Sequence, residues 1–137
     1  MRRATLVLAL IGVIAVSFCF VAEAAPEAKP IRVLLIAGDD VAPYHDWREI
    51  SEKTREALVA SDRFVVRVSE DPLILESQAA LKQYDVIALT MFHRGTPEMT
   101  GQAKENLLNF VKGGKGFYVQ HLASASFKDW DEFGNLC

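Results

Sequence analysis

The chain has 137 residues, is 50% hydrophobic and 24% charged, and carries a formal net charge of −3. That balance argues against a nucleic-acid binder, because the lysines and arginines are scattered among acidic residues instead of clustered. With Cys19 and Cys137 as its two cysteines, the chain has no disulfide framework either.

At the N-terminus, Arg2 and Arg3 precede an apolar run over residues 4–21, and Ala22-Glu23-Ala24 stands before Ala25-Pro26. These are the charged region, apolar region and small-x-small cleavage site of a secretory signal peptide. The expectation is cleavage after Ala24 and a periplasmic or extracellular product with no stable membrane span. An uncleaved anchor competes with it, because the run approaches the roughly 18 apolar residues that begin to suggest a span. Small residues at both cleavage positions and the following Pro26 favour removal. The bulky Phe18 before Cys19 does not suit lipoprotein processing. Removing residues 1–24 leaves 113 residues with 13 basic and 17 acidic side chains and Cys137 as the remaining cysteine. Residues 25–30, with Pro26 and Pro30, read as a short linker.

Residues 31–36 form a branched apolar run interrupted only by Arg32, the mark of a strand buried on both faces. The run ends in Ala37-Gly38-Asp39-Asp40. Between 47 and 60, Trp47, Ile50, Thr54, Ala57 and Leu58 share one helical face. Asp46 is placed to cap that helix by accepting from the Glu49 N–H, and Glu49 could reach back in a capping box. A second strand spans 64–69 and stops at Asp71-Pro72, and a short helix covers 75–83. The third strand runs from 85 to 90. Thr96-Pro97 gives the cap and first-turn proline of a helix whose stripe is Ala103, Leu107, Phe110 and Val111, and Lys112-Gly113-Gly114 ends it. The fourth strand, 116–120, leads to His121, and Ser126 is placed to cap a last helix showing Phe127, Trp130 and Phe133.

Strand and helix alternate four times, which is the pattern of a parallel sheet with helices on both faces. The fold class is α/β, a flavodoxin-like three-layer sandwich. Four strands seldom finish such a sheet, so residues 31–137 read as the N-terminal part of a C-terminally truncated domain.

Ligands of open α/β sheets bind beyond the carboxyl ends of the strands, where the strand order reverses. All three histidines of the sequence fall on that edge: His45 after strand one, His93 after strand three and His121 after strand four. In a 2-1-3-4 order these strands adjoin, so the imidazoles can line one cleft; simple solvation of loop residues is the alternative. His121 is the leading candidate, since it opens a strand-to-helix elbow among Ala123, Ser124, Ala125 and Ser126. His45 follows, beside Asp46 and Trp47, for which capping and packing are the competing duties. His93, Ser124 and Trp130 are further candidates for ligand contact. Two imidazoles with a carboxylate such as Asp39 or Asp40 could hold a divalent metal such as zinc, although no H-x-x-x-H or H-E-x-x-H pattern is present. Ser124 and Ser126 lack a G-x-S-x-G context for a nucleophile.

Four stretches carry a family resemblance: residues 31–38, the helix start His45-Asp46-Trp47, residues 84–89, and residues 110–121 with Asp129-Trp130 downstream. Together they resemble the ThuA-like (trehalose-utilisation) family across the mature segment. The resemblance implies a fold like that of the class I glutamine amidotransferases, in which the elbow carries a nucleophilic cysteine. His121 occupies that position here, so thiolate glutamine hydrolysis is not expected. It further implies a sugar ligand, in disaccharide or keto-sugar metabolism, and a domain continuing beyond residue 137. The functional expectation is an exported domain acting on or binding carbohydrate, with His121 and His45 as acid–base or anchoring groups and as the candidate metal ligands. Its rival is a non-catalytic binding or scaffold domain of a larger exported protein.

Overall fold

In the computed structural model the described residues are 28–38, 45–93 and 99–137. The expected signal peptide and half of the expected linker lie outside them, as do Asp39, Asp40, Thr96 and Pro97. Strands β1 (Ile31–Ile36), β2 (Phe64–Ser69), β3 (Val86–Leu89) and β4 (Gly116–Val119) form one sheet in the order β2-β1-β3-β4. Every pairing is parallel, with Val33 opposite Val66 and Val86, and Ala88 opposite Tyr118. The helices are α1 (Trp47–Val59), α2 (Gln78–Leu81), α3 (Gly101–Lys112) and α4 (Asp131–Gly134). This is the flavodoxin-like α/β winding expected from the alternation of elements.

Side-chain alternation along the strands divides the core in two. Leu34, Ile36, Ile87 and Leu89 face one side, where they pack with Leu107 and Phe110 of α3, Trp130 and Phe133. Val33, Leu35 and Ala88 face the other, joined by Leu58 of α1. The first side is thickly covered. On the second, Tyr118 is 51% exposed, and a groove of about 750 Å³ runs between α1 and the sheet, lined by Val33, Ile50, Leu58, Val86, Ala88 and Tyr118 among others. No helix among the described residues is long and apolar enough to cross a membrane.

The helix ends follow local chemistry. Asp46 Oδ1 accepts from the N–H groups of Arg48 and Glu49 at 3.0 and 3.2 Å, as a cap should. Helix α3 closes with the Lys115 N–H on the Phe110 carbonyl and the Gly114 N–H on the Val111 carbonyl. That is a Schellman motif, and Gly114 takes its left-handed position at φ +84°. Gly116 has a different reason to lack a side chain: a Cβ there would stand 2.9 Å from Val86 Cγ2.

Three sequence expectations need correction. The helix expected over 75–83 divides into a 3-10 turn, Pro72–Glu76, and α2. Asp71 and Ser77 each cap locally, through Leu73 N–H at 2.9 Å and Ala80 N–H at 3.2 Å, and so break the run. Helix α3 begins at Gly101, where the Thr100 hydroxyl accepts from Ala103 N–H at 3.2 Å. Thr100 follows Thr96 by four positions in the sequence, and Met99, 4% exposed, is drawn into the core ahead of the helix. Ser126 caps no helix. Its hydroxyl is turned inward to the segment after β3, and α4 is a single turn that begins at Asp131.

Candidate functional site

The strand order places the exits of β1, β3 and β4 side by side. His45 lies two residues before α1, on the return from β1, and His121 follows β4 by two residues. Their rings meet edge-on, with centroids 5.5 Å apart and planes at 88°. His45 is half-buried and His121 is exposed.

His121 holds an uncommon backbone conformation, φ +52°, as the first residue of the 3-10 turn His121–Ala125. A residue with a Cβ is disfavoured there, so the surroundings must fix it. Its carbonyl accepts from the Ser124 hydroxyl at 2.9 Å, which gives Ser124 a local duty within the turn. Next to His121, Gln120 Oε1 lies 3.3 Å from the Thr54 hydroxyl, whose single proton is shared between it and the Ile50 carbonyl at 2.8 Å. This contact ties β4 to α1 and hence the two histidine-bearing segments to each other.

The remaining candidates do not join the pair. Asp46 is engaged as the cap of α1. Trp47 is half-buried, with the Arg48 guanidinium 4.2 Å above its ring. His93 is 4% exposed and packs on Phe127 at 4.8 Å; its Nε2 has no hydrogen-bond partner among the described residues. Trp130, expected at the ligand edge, belongs to the core: it stacks on Phe133 at 5.7 Å, and the Lys104 ammonium lies 5.6 Å from its ring.

A zinc-type ion takes at least three protein ligands. Among the described residues no group of three or more His, Cys, Asp or Glu is arranged to hold a metal. The described residues therefore do not make a zinc site around the two imidazoles.

Sequence reasoning missed Thr54, Gln120 and the inward Ser126. Thr54 and Gln120 read as an apolar-face residue and a strand end, and their contact spans 66 positions. The left-handed backbone at His121 carried no glycine or asparagine signal.

A four-stranded parallel sheet in 2-1-3-4 order with paired polar groups at its carboxyl edge defines a flavodoxin-like α/β protein with an elbow after β4. Two solved structures share that fold more particularly. One is a ThuA-like protein from Parabacteroides merdae, 24% identical with a TM-score of 0.64, matched over 80% of this chain and 38% of its own. The other is a ThuA-like protein from Bacteroides uniformis, 18% identical with a TM-score of 0.59, matched over 83% of this chain and 46% of its own. The chain thus has the fold of ThuA-like proteins and spans less than half the length of each. No protein-family model and no curated protein matches the sequence.

Proposed function

We propose that this chain is an exported ThuA-like domain that binds, or acts on, a carbohydrate at the His45–His121 pair, within disaccharide or keto-sugar metabolism. The single observation that carries the reading is the edge-on contact of two imidazoles 5.5 Å apart at the carboxyl edge of the sheet, where α/β proteins bind ligands. The signal-like N-terminus supports a periplasmic or extracellular location. Two neighbouring imidazoles offer both donor and acceptor nitrogens, which suits hydroxyl recognition and proton transfer at a hydroxyl or keto carbon.

A non-catalytic binding role has support of its own. Among the described residues no carboxylate orients either imidazole, whereas a base working in proton transfer is ordinarily held by a third group. Asp46, the nearest in sequence, is occupied by the α1 cap.

Calorimetric titration of the protein with trehalose, other disaccharides and their keto derivatives tests the reading, with turnover followed by product analysis. Binding that is lost in His121→Ala and His45→Ala is the expected result, and turnover by the unaltered protein would assign it as an enzyme. Sugar binding unchanged in both variants, or absent from the unaltered protein, would overturn it.

A further inference from the structure

The elbow carrying His121 is bracketed by two non-glycine residues in the left-handed region, His121 and Phe127, both at φ +52°. The rest of the 3-10 turn, residues 122–125, and Ser126 lie between these two ends. Such conformations persist only where neighbouring structure over-determines them. The turn's own hydrogen bonds are few, so the constraint must come from elsewhere in the fold.

It comes from the segment leaving β3. The Ser126 hydroxyl, on a residue 3% exposed, accepts from the His93 N–H at 2.8 Å and donates to the Met91 carbonyl at 3.2 Å. The Phe127 N–H donates to the His93 carbonyl at 3.4 Å. The His93 imidazole lies tilted over the Phe127 ring at 4.8 Å, and that ring meets Phe133 edge-on at 5.0 Å on its way into the core. One hydroxyl thus satisfies a buried donor and a buried acceptor of the β3 exit, and one ring stack closes over the far end of the elbow.

We propose that Ser126 and His93 are positioning residues that clasp the elbow to the β3 exit and thereby hold the His121 ring against His45. The proposal takes its functional meaning from the reading of the histidine pair as the ligand site. Ser126 acts through its hydroxyl, because removing it strands the His93 N–H and the Met91 carbonyl in a dry interior. His93 acts through the face of its ring, which lies on Phe127 at 4.8 Å. A phenyl ring in its place keeps that face and tests the assignment.

The test is the proton NMR contact between the two imidazoles in the ligand-free protein, read as cross-peaks between the His45 and His121 rings and as the ring-current shift each imposes on the other. Ser126→Ala should lose the cross-peaks and collapse the shift while far-UV circular dichroism stays as in the unaltered protein. Ser126→Thr, which keeps the hydroxyl, and His93→Phe, which keeps the ring, should retain both. Persistence of the cross-peaks in Ser126→Ala overturns the clasp. If Ser126→Ala does not fold, loss of the contact in a folded Ser126→Thr overturns it instead. Loss in His93→Phe overturns the stacking role. A clasp that behaves as expected in a protein that binds no sugar would refute the functional reading alone, since this measurement needs no ligand.

Discussion

Thr54 of α1 and Gln120 at the end of β4 meet at 3.3 Å across the mouth of the apolar groove. This polar contact joins the helix that follows His45 to the strand that precedes His121. Thr54→Val keeps the shape of the side chain and removes the hydroxyl. A destabilisation of about 0.5–1.5 kcal/mol is expected from one lost hydrogen bond, measured as the shift of the urea midpoint. Altered imidazole resonances of His45 and His121 should accompany it.

Asp85 sets the acid limb of stability. Its carboxylate accepts from the Arg32 backbone N–H at 2.9 Å and from the guanidinium at 3.1 Å, at the start of β1. These bonds hold its pKa below the ordinary 3.8, at about 2. The folded pKa is depressed, so the contribution is present above the unfolded value and is lost as pH falls from about 4 through about 2. Asp85→Asn should flatten that part of the pH–stability profile. Because both side chains are about half exposed, added salt should weaken the guanidinium contribution and leave the backbone bond. Thermal melts from pH 2 to 6 with and without salt measure both effects.

Asn106 joins α3 to the 3-10 turn before α2. It is 5% exposed, and its amide donates to the Leu75 and Glu76 carbonyls at 2.9 and 3.0 Å while accepting from Gln102 at 3.0 Å. Asn106→Leu leaves two carbonyls without a donor, and a loss of about 2–4 kcal/mol is expected. Asn106→Asp should be at least as harmful, since it sets a carboxylate against carbonyl oxygens. Denaturant unfolding of both variants gives the values.

His121 combines a candidate functional side chain with a disfavoured backbone. Replacing it by glycine relieves the left-handed conformation but adds chain entropy to the unfolded state. The balance should leave stability unchanged or raised by up to about 1 kcal/mol, whereas ligand binding should disappear. A clear loss of stability in His121→Gly would mean that the turn rests on the imidazole itself.

Much of this architecture is legible in the sequence. The branched apolar runs gave strands β1 and β2 to the residue, and Asp46 and Gly113-Gly114 marked helix ends where they are observed. Boundaries failed where short polar residues offered alternative caps, as at Ser77, Thr100 and Ser126, because a local pattern does not say which hydroxyl tertiary packing will claim. The meeting of His45 and His121 followed from topology, since the strand order brings their exits together. Trp130 and His93 turn inward to Phe127 and Phe133, a direction that proximity to the carboxyl edge does not reveal.

The groove beside α1 also bears on handling. With Tyr118 half exposed at its edge, the described fold offers water a largely apolar groove, bordered by Glu49 and Lys53, of a size that can take up a fluorescent dye. The purified protein should brighten anilinonaphthalene sulfonate in its native state. Tyr118→Lys should reduce the brightening while the sheet stays intact, so the groove beside α1 doubles as an optical reporter of the native state.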